Sequence, residues 1–315
     1  MEEKNQIYGG MKMKILVVGA GAVGGYFGGR LAEKGEDVTF LVRPRRMQEL
    51  EQSGLRISSP HGDVELSPRL IEAGTDETFD LILLSTKAYH LDQVVQDIEP
   101  FVAEHTYILP LLNGMAHLER LTETFGEHRV LGGLCFIEST LDEQGRILQT
   151  SPSHHLLFGP LTGERTQRLE ELERHLTGTK APIKYSETII RDMWNKYLFI
   201  TTFSGVTSLF RSAIGPIREQ AQGMELIRQL TAEAKQAMEQ QGAVFSDEIE
   251  QIQEKQIRQM SETMKSSLQR DMEKGNDVES THLFQTLLST EETAQPLLRM
   301  IHTNLEIYRN QLKQV

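Results

Sequence analysis

The chain has 315 residues and a formal net charge of −12, so two domains are expected at ~100–200 residues each, and a basic surface for nucleic acid or anionic membrane is not. A hydrophobic fraction of 38 % predicts ordinary globular cores. The single cysteine, Cys135, excludes an intrachain disulfide; with no apolar run near the ~20 residues of a membrane span, it points to the reducing cytoplasm.

The first twelve residues read as a polar leader, with Met11 and Met13 as alternative starts. Lys14–Val18 (KILVV) is short, continuous and β-branched, as a buried parallel strand is. Residues 22–34 read as a helix that stops at Gly35. Further strands are expected over 37–42, 81–85, 107–112 and 130–137, with 147–159 and 183–186 closing this half. Strand, helix, strand at this spacing predicts parallel βαβ units in a doubly wound, Rossmann-type α/β sheet. From about Thr188 the apolar residues recur at three and four, and Leu297, Ile301, Leu305, Tyr308 and Leu312 form one such stripe. Residues 246–274 form a long polar-rich stretch with Gly275 at its end. The expected organisation is an α/β domain over 1–187 and an all-α C-terminal domain over 188–315.

Gly19-Ala20-Gly21-Ala22-Val23-Gly24 is a G-x-G-x-x-G motif between the first strand and the first helix. In that context Gly19 allows the tight turn, Gly21 leaves room for a pyrophosphate, and Gly24 lets helix and strand pack closely. The helix N-terminus then favours the phosphates. An NAD site carries an acid at the end of the second strand; here Arg43 stands there, with Arg45 and Arg46 close by and no acid before Glu49. Arginine suits a 2′-phosphate, so NADP is the expected dinucleotide. Lys87 and Asn113 each follow directly on an expected strand, where ligands of doubly wound sheets bind; a plain surface lysine and an Asn-Gly turn would explain them equally well.

Together, the GAGAVGG opening, Thr86-Lys87-Ala88, Leu112-Asn113-Gly114-Met115 and Trp194-Asn195-Lys196 resemble the ketopantoate reductase (2-dehydropantoate 2-reductase) family, from Met13 to near the C-terminus. The resemblance implies a Rossmann domain followed by a helical domain, with the active site between them. It also implies reduction of a 2-oxo acid by NADPH in the pantothenate and coenzyme A pathway. Lys196 is then the catalytic proton donor and a substrate contact. Ser267, in Ser266-Ser267-Leu268-Gln269-Arg270-Asp271, would touch substrate. Lys87, Glu138 and Glu279 would contact cofactor, and Asn113 both cofactor and substrate.

This sequence departs from the family where substrate-holding asparagines are expected: Ile200 and Ser204 stand four and eight residues after Lys196, and Ile214 lies further on. Ser204 remains a candidate substrate contact, but the pocket is more apolar on one side, which also admits a different 2-oxo acid. The same residues are compatible with a β-hydroxyacid dehydrogenase or with a non-catalytic NADP-binding sensor. A homodimer is the assembly considered. Adjacent His154 and His155 point to opposite faces of a strand, so no metal is expected. Cys135 and Trp194 read as packing residues.

Overall fold

The structure, a computed structural model, describes residues 12–290 and 295–314. The expected leader up to residue 11, including Met11, lies outside them. The chain divides into two units. The first comprises the chain up to Thr86, His90–Leu112 and Arg120–Ile189; the second comprises Lys87–Tyr89, Asn113–Glu119 and the chain from Ile190 onward. Residues 87–89 and 113–119 therefore group with the helical residues, although they follow directly on strands of the first unit.

The strands are β1 (Lys14–Val18), β2 (Asp37–Leu41), β3 (Leu55–Ser58), β4 (Val64–Leu66), β5 (Arg69–Ile71), β6 (Phe79–Leu84), β7 (Val102–Pro110), β8 (Leu131–Leu141), β9 (Ile147–Pro160) and β10 (Ile183–Tyr185). The first sheet runs β5-β2-β1-β6-β7 and is parallel throughout. Its central strand is buried from Ile15 to Val18, which is why that stretch is apolar at every position rather than at alternate ones. The late strands close this half of the chain as expected, and they build a second sheet, ordered β10-β9-β3-β4 with β8 paired antiparallel to β9. Strands β3 and β4 span four and three residues. Runs that short show no usable periodicity, so the sequence does not reveal the second sheet.

The helices of this unit include α1 (Gly24–Lys34), α2 (Pro44–Ser53), α3 (Leu91–Ile98) and α5 (Gln167–Leu176), while α4 (Ala116–Phe125) begins in the second unit. Helix α1 is buried from Gly24 to Leu31 because both sheets press on it. A methyl at Gly28 would lie 2.8 Å from Val17, on the first sheet. Methyls at Gly25 and Gly29 would lie 2.5 Å from Ile147 and 2.7 Å from Ile57, on the second. Small residues on both faces let one helix serve two layers. His154 turns inward, stacked on His61 with ring centroids 3.5 Å apart, while His155 meets Phe136. Cys135 is buried.

The second unit is helical: α6 (Ile189–Phe210), α7 (Ile214–Arg218), α8 (Gly223–Glu239), α9 (Ile249–Gln259), α10 (Ser267–Glu273), α11 (Ser280–Leu283) and α12 (Pro296–Leu312). Helix α12 buries Leu298, Ile301, Leu305 and Tyr308. The polar stretch over 246–274 is two helices, not one. The Arg218 guanidinium donates to the carbonyls of Ile257, Arg258 and Met260, satisfying the end of α9, and the Ser266 hydroxyl caps α10 by accepting from Gln269. Among the described residues no helix is long and apolar enough to cross a membrane.

Candidate functional site

In the first unit, β1 runs into the glycine loop. Gly19 has φ +93°, a conformation only glycine adopts freely, and its N–H donates to the Leu41 carbonyl at 3.1 Å. A methyl at Gly24 would sit 2.2 Å from the Gly19 carbonyl oxygen, so the first turn of α1 lies hard against the loop. A methyl at Gly21 would meet nothing within 4 Å. The loop is thus tight beneath and open above, and no side chain caps the helix at Val23. A cradle of that form fits the diphosphate of a dinucleotide, held by backbone N–H groups and the helix dipole.

The three arginines beyond β2 are not equivalent. Arg46 is committed to the loop: its Nε donates to the Ala20 carbonyl at 3.1 Å, its Nη2 to the Gly145 carbonyl at 2.9 Å, and its Nη1 pairs with Glu49. Arg45 pairs with Glu49 from solvent. Arg43 is exposed at the start of α2; its carbonyl accepts from the Met47 N–H, and its guanidinium makes no hydrogen bond among the described residues. Glu138 is half-buried on β8, and its N–H donates to the Ser151 hydroxyl at 2.9 Å.

In the second unit four chain segments meet. Lys196 lies on α6 and is 8 % exposed; its ammonium donates to Asn113 Oδ1 at 3.0 Å. Trp194 and Tyr197 on the same helix stack on one another with centroids 6.0 Å apart. Lys87 donates to Asp271 Oδ2 on α10 at 2.6 Å and lies 3.9 Å from Glu279 Oε2. Glu279 also accepts from the Ala88 N–H at 2.8 Å. Burial alone would lower the Lys87 ammonium, but the Glu279 and Asp271 carboxylates outweigh it and hold the group above the ordinary lysine range. The site therefore has a buried ammonium on an amide and a second ammonium on two carboxylates.

The serines separate. Ser266 is buried, accepting from Thr207 at 2.8 Å and capping α10. Ser267 is exposed, one turn before Asp271 on the same helix. Ser204 is buried on α6, two turns beyond Lys196. Sequence reasoning missed two residues here. His117, on the first turn of α4, and His282, on α11, face one another with Nδ1 and Nε2 3.4 Å apart. Nothing in their local sequence marks them, because 165 residues separate them.

The sequence profile described as ketopantoate reductase PanE/ApbA matches residues 15–163, and its C-terminal counterpart matches residues 188–305. The chain belongs to the ketopantoate reductase family. Members are oxidoreductases acting on CH–OH groups, and this chain is an enzyme of that kind.

Within the family the chain is 44 % identical over 299 residues to an uncharacterized oxidoreductase, YkpB, of Bacillus subtilis, covering 94 % of this chain and 99 % of that one. It is 28 % identical to the 2-dehydropantoate 2-reductase of Lactococcus lactis, over 68 % of this chain and 70 % of that one. The crystal structure of 2-dehydropantoate 2-reductase from Geobacter metallireducens superposes with a TM-score of 0.85 at 29 % identity, covering 94 % and 99 %. D-mandelate dehydrogenase, solved with NADH and anilino(oxo)acetate, shares the fold at a TM-score of 0.83 and 19 % identity, covering 96 % and 100 %. Where the family resemblance implies amides, this ketopantoate reductase homologue has Ile200 half-buried one turn beyond Lys196 and Ile214 fully buried at the start of α7.

Proposed function

We propose that this chain is an NADPH-dependent reductase of 2-oxo acids, with 2-dehydropantoate the first substrate to test and pantothenate and coenzyme A synthesis its setting in the cytoplasm. In this reading residues 1–187 bind the dinucleotide, 188–315 carry substrate binding and catalysis, and a homodimer is the assembly. The observation that carries it is the buried Lys196 ammonium hydrogen-bonded to Asn113 Oδ1 at 3.0 Å.

When bound, the reduced dinucleotide supplies a hydride to the carbonyl carbon of the substrate. Lys196 meets the negative charge that develops on the carbonyl oxygen, then gives that oxygen a proton from Nζ and is left as the neutral amine, which solvent reprotonates. Asn113 holds the ammonium in one orientation through its Oδ1. Ser267 and Ser204 bind substrate. The backbone of Gly19, Ala20, Gly21, Ala22, Val23 and Gly24 holds the diphosphate, and Arg43 meets the 2′-phosphate with a charge-assisted bond. Lys87, Asn113, Glu138 and Glu279 complete the cofactor contacts.

A second reading rests on Ile200. A hydroxylated substrate lying along α6 from Lys196 would meet a branched alkyl surface where an amide is expected, which leaves its hydroxyl unpaired. A 2-oxo acid with an apolar side chain avoids that loss. NADPH oxidation by the purified protein across a panel of 2-oxo acids separates the two. A highest kcat/KM with 2-dehydropantoate supports the first, and with a branched or aromatic 2-oxo acid the second. Turnover only when β-hydroxyacids are offered with the oxidised cofactor, or no turnover with any acid despite NADPH binding, overturns both, the last outcome favouring a sensor.

A further inference from the structure

His117 and His282 have no part in the reaction above. His117 is fully buried, and the two rings face each other nitrogen to nitrogen at 3.4 Å, with centroids 5.5 Å apart. Two neutral imidazoles in that arrangement share one proton: one ring donates and the other accepts. The Asn113 backbone carbonyl stands near the His282 ring and favours its protonated form. Gly114, at φ +79°, lies so close that a methyl there would be 3.3 Å from His282 Cδ2 and Nε2. The Asn113-Gly114 turn is therefore shaped around this imidazole. The backbone of His282 is in turn fixed to the helix that carries Lys196. The Tyr197 hydroxyl donates to the Leu283 carbonyl at 2.9 Å and approaches that of His282 at 3.4 Å. A closed circuit results, from Lys196 to Asn113, to His282, to Tyr197 and back to α6.

Packing alone does not account for two imidazoles here. His117 Nε2 is buried with no hydrogen-bond partner among the described residues. A buried unpaired polar atom costs ~1–3 kcal/mol, which a phenyl ring of similar shape would avoid.

We propose that His282 is a positioning residue: its neutral ring, held in one tautomer by His117, fixes the Asn113 turn so that the Asn113 amide oxygen holds the Lys196 ammonium. The proposal rests on the reading of Lys196 as proton donor. The charge environment agrees with it. Burial, with His282 and the Lys196 ammonium alongside, lowers His117 to about 3. Burial also lowers His282, against the opposing pull of the Glu279 carboxylate and the Asn113 carbonyl. An uncharged pair leaves the ammonium without a competing cation behind it.

His282→Phe keeps the ring and removes both nitrogens, while His282→Gln restores a polar end. In His282→Phe, kcat is expected to fall about 10- to 100-fold with KM for NADPH little changed, as for small misplacements of a catalytic group. His282→Gln is expected to recover part of the loss, and His117→Phe to lose less in the same direction. The Asn113 side-chain amide resonances, assigned with Asn113→Asp, are expected to shift in His282→Phe without any substrate present. Unchanged kcat, or unmoved Asn113 resonances, in folded His282→Phe overturns the proposal. Should that variant not fold, His282→Gln and His117→Phe carry the same two measurements. If the wild-type protein reduces no 2-oxo acid while the Asn113 resonances still move in His282→Phe, the reading of Lys196 is overturned and the positioning of Asn113 stands.

Discussion

The glycine loop of the first unit and the lysine group of the second are built in opposite ways. The loop is six consecutive residues proposed to bind through their backbone, and its shape follows from absent side chains: a positive φ at Gly19, open space over Gly21, and a Gly24 that touches the loop below it. The lysine group draws side chains, with the Ala88 N–H, from four separated segments, 87–88, 113–117, 196–197 and 271–282, and is held by their hydrogen bonds and charges. A backbone site tolerates almost any side chain that does not intrude. A side-chain site fails when one member is lost.

The sharpest way to break this contrast is Lys196→Ala. Turnover is expected to fall by about 10²–10⁴-fold, the usual contribution of a general acid, while NADPH titrated by fluorescence still binds. Loss of binding and turnover together would mean that the second unit holds the cofactor as much as the chemistry. Gly24→Ala is next. Its new methyl lies 2.2 Å from the Gly19 oxygen, so a loss of ~1–3 kcal/mol in thermal unfolding and weaker NADPH binding are expected. Gly21→Ala, with open space, is expected to leave the melting temperature in place. Equal melting temperatures for all three proteins would refute the packing account of the loop.

Acid sharpens the comparison from the other side. His117 is lowered to about 3 in the folded state, against ~6.5 unfolded, so between those values the unfolded chain takes up a proton that the native state does not. Its contribution is fully present above ~6.5 and is lost as the pH falls, reaching about 2 kcal/mol by pH 5. His154 in the first unit, lowered to about 4 by burial and by His61, Arg30 and His155, acts in the same direction. Denaturant unfolding at pH 7.5 and 5 is expected to show the loss, and His117→Phe to remove its share. The smallest effect is expected at Arg43, which is exposed. Arg43→Ser should lower the NADPH-to-NADH preference about tenfold, one charge-assisted hydrogen bond, measured as a ratio of kcat/KM values. An unchanged ratio would move the 2′-phosphate contact elsewhere.

Much of the molecule was legible without coordinates. β1 stands at the residues its apolar run marks, α1 ends where Gly35 stops it, and the C-terminal region is helical from Ile189, where α6 begins. The turn and the helix start at the glycine motif were readable because both are local. Lys196 was not readable from periodicity, since a lysine on a helix is usually solvated; the Trp-x-Lys resemblance singled it out. Arg46 looked like a partner of Arg43 but braces the Ala20 carbonyl, a contact spanning 26 residues.

The sequence by itself determined what depends on neighbours along the chain: strand and helix periods, the turn at Gly19, the family motifs, and the change from α/β to helix. Tertiary structure decided what depends on residues brought together from afar: the second sheet, the break between α9 and α10, the grouping of Lys87 and Asn113 with the helical unit, and the facing of His117 and His282. The physical reason is range. Backbone preference acts within a few residues, whereas hydrogen bonds and charges act wherever folding places the groups, and 165 residues of chain record nothing of a 3.4 Å approach.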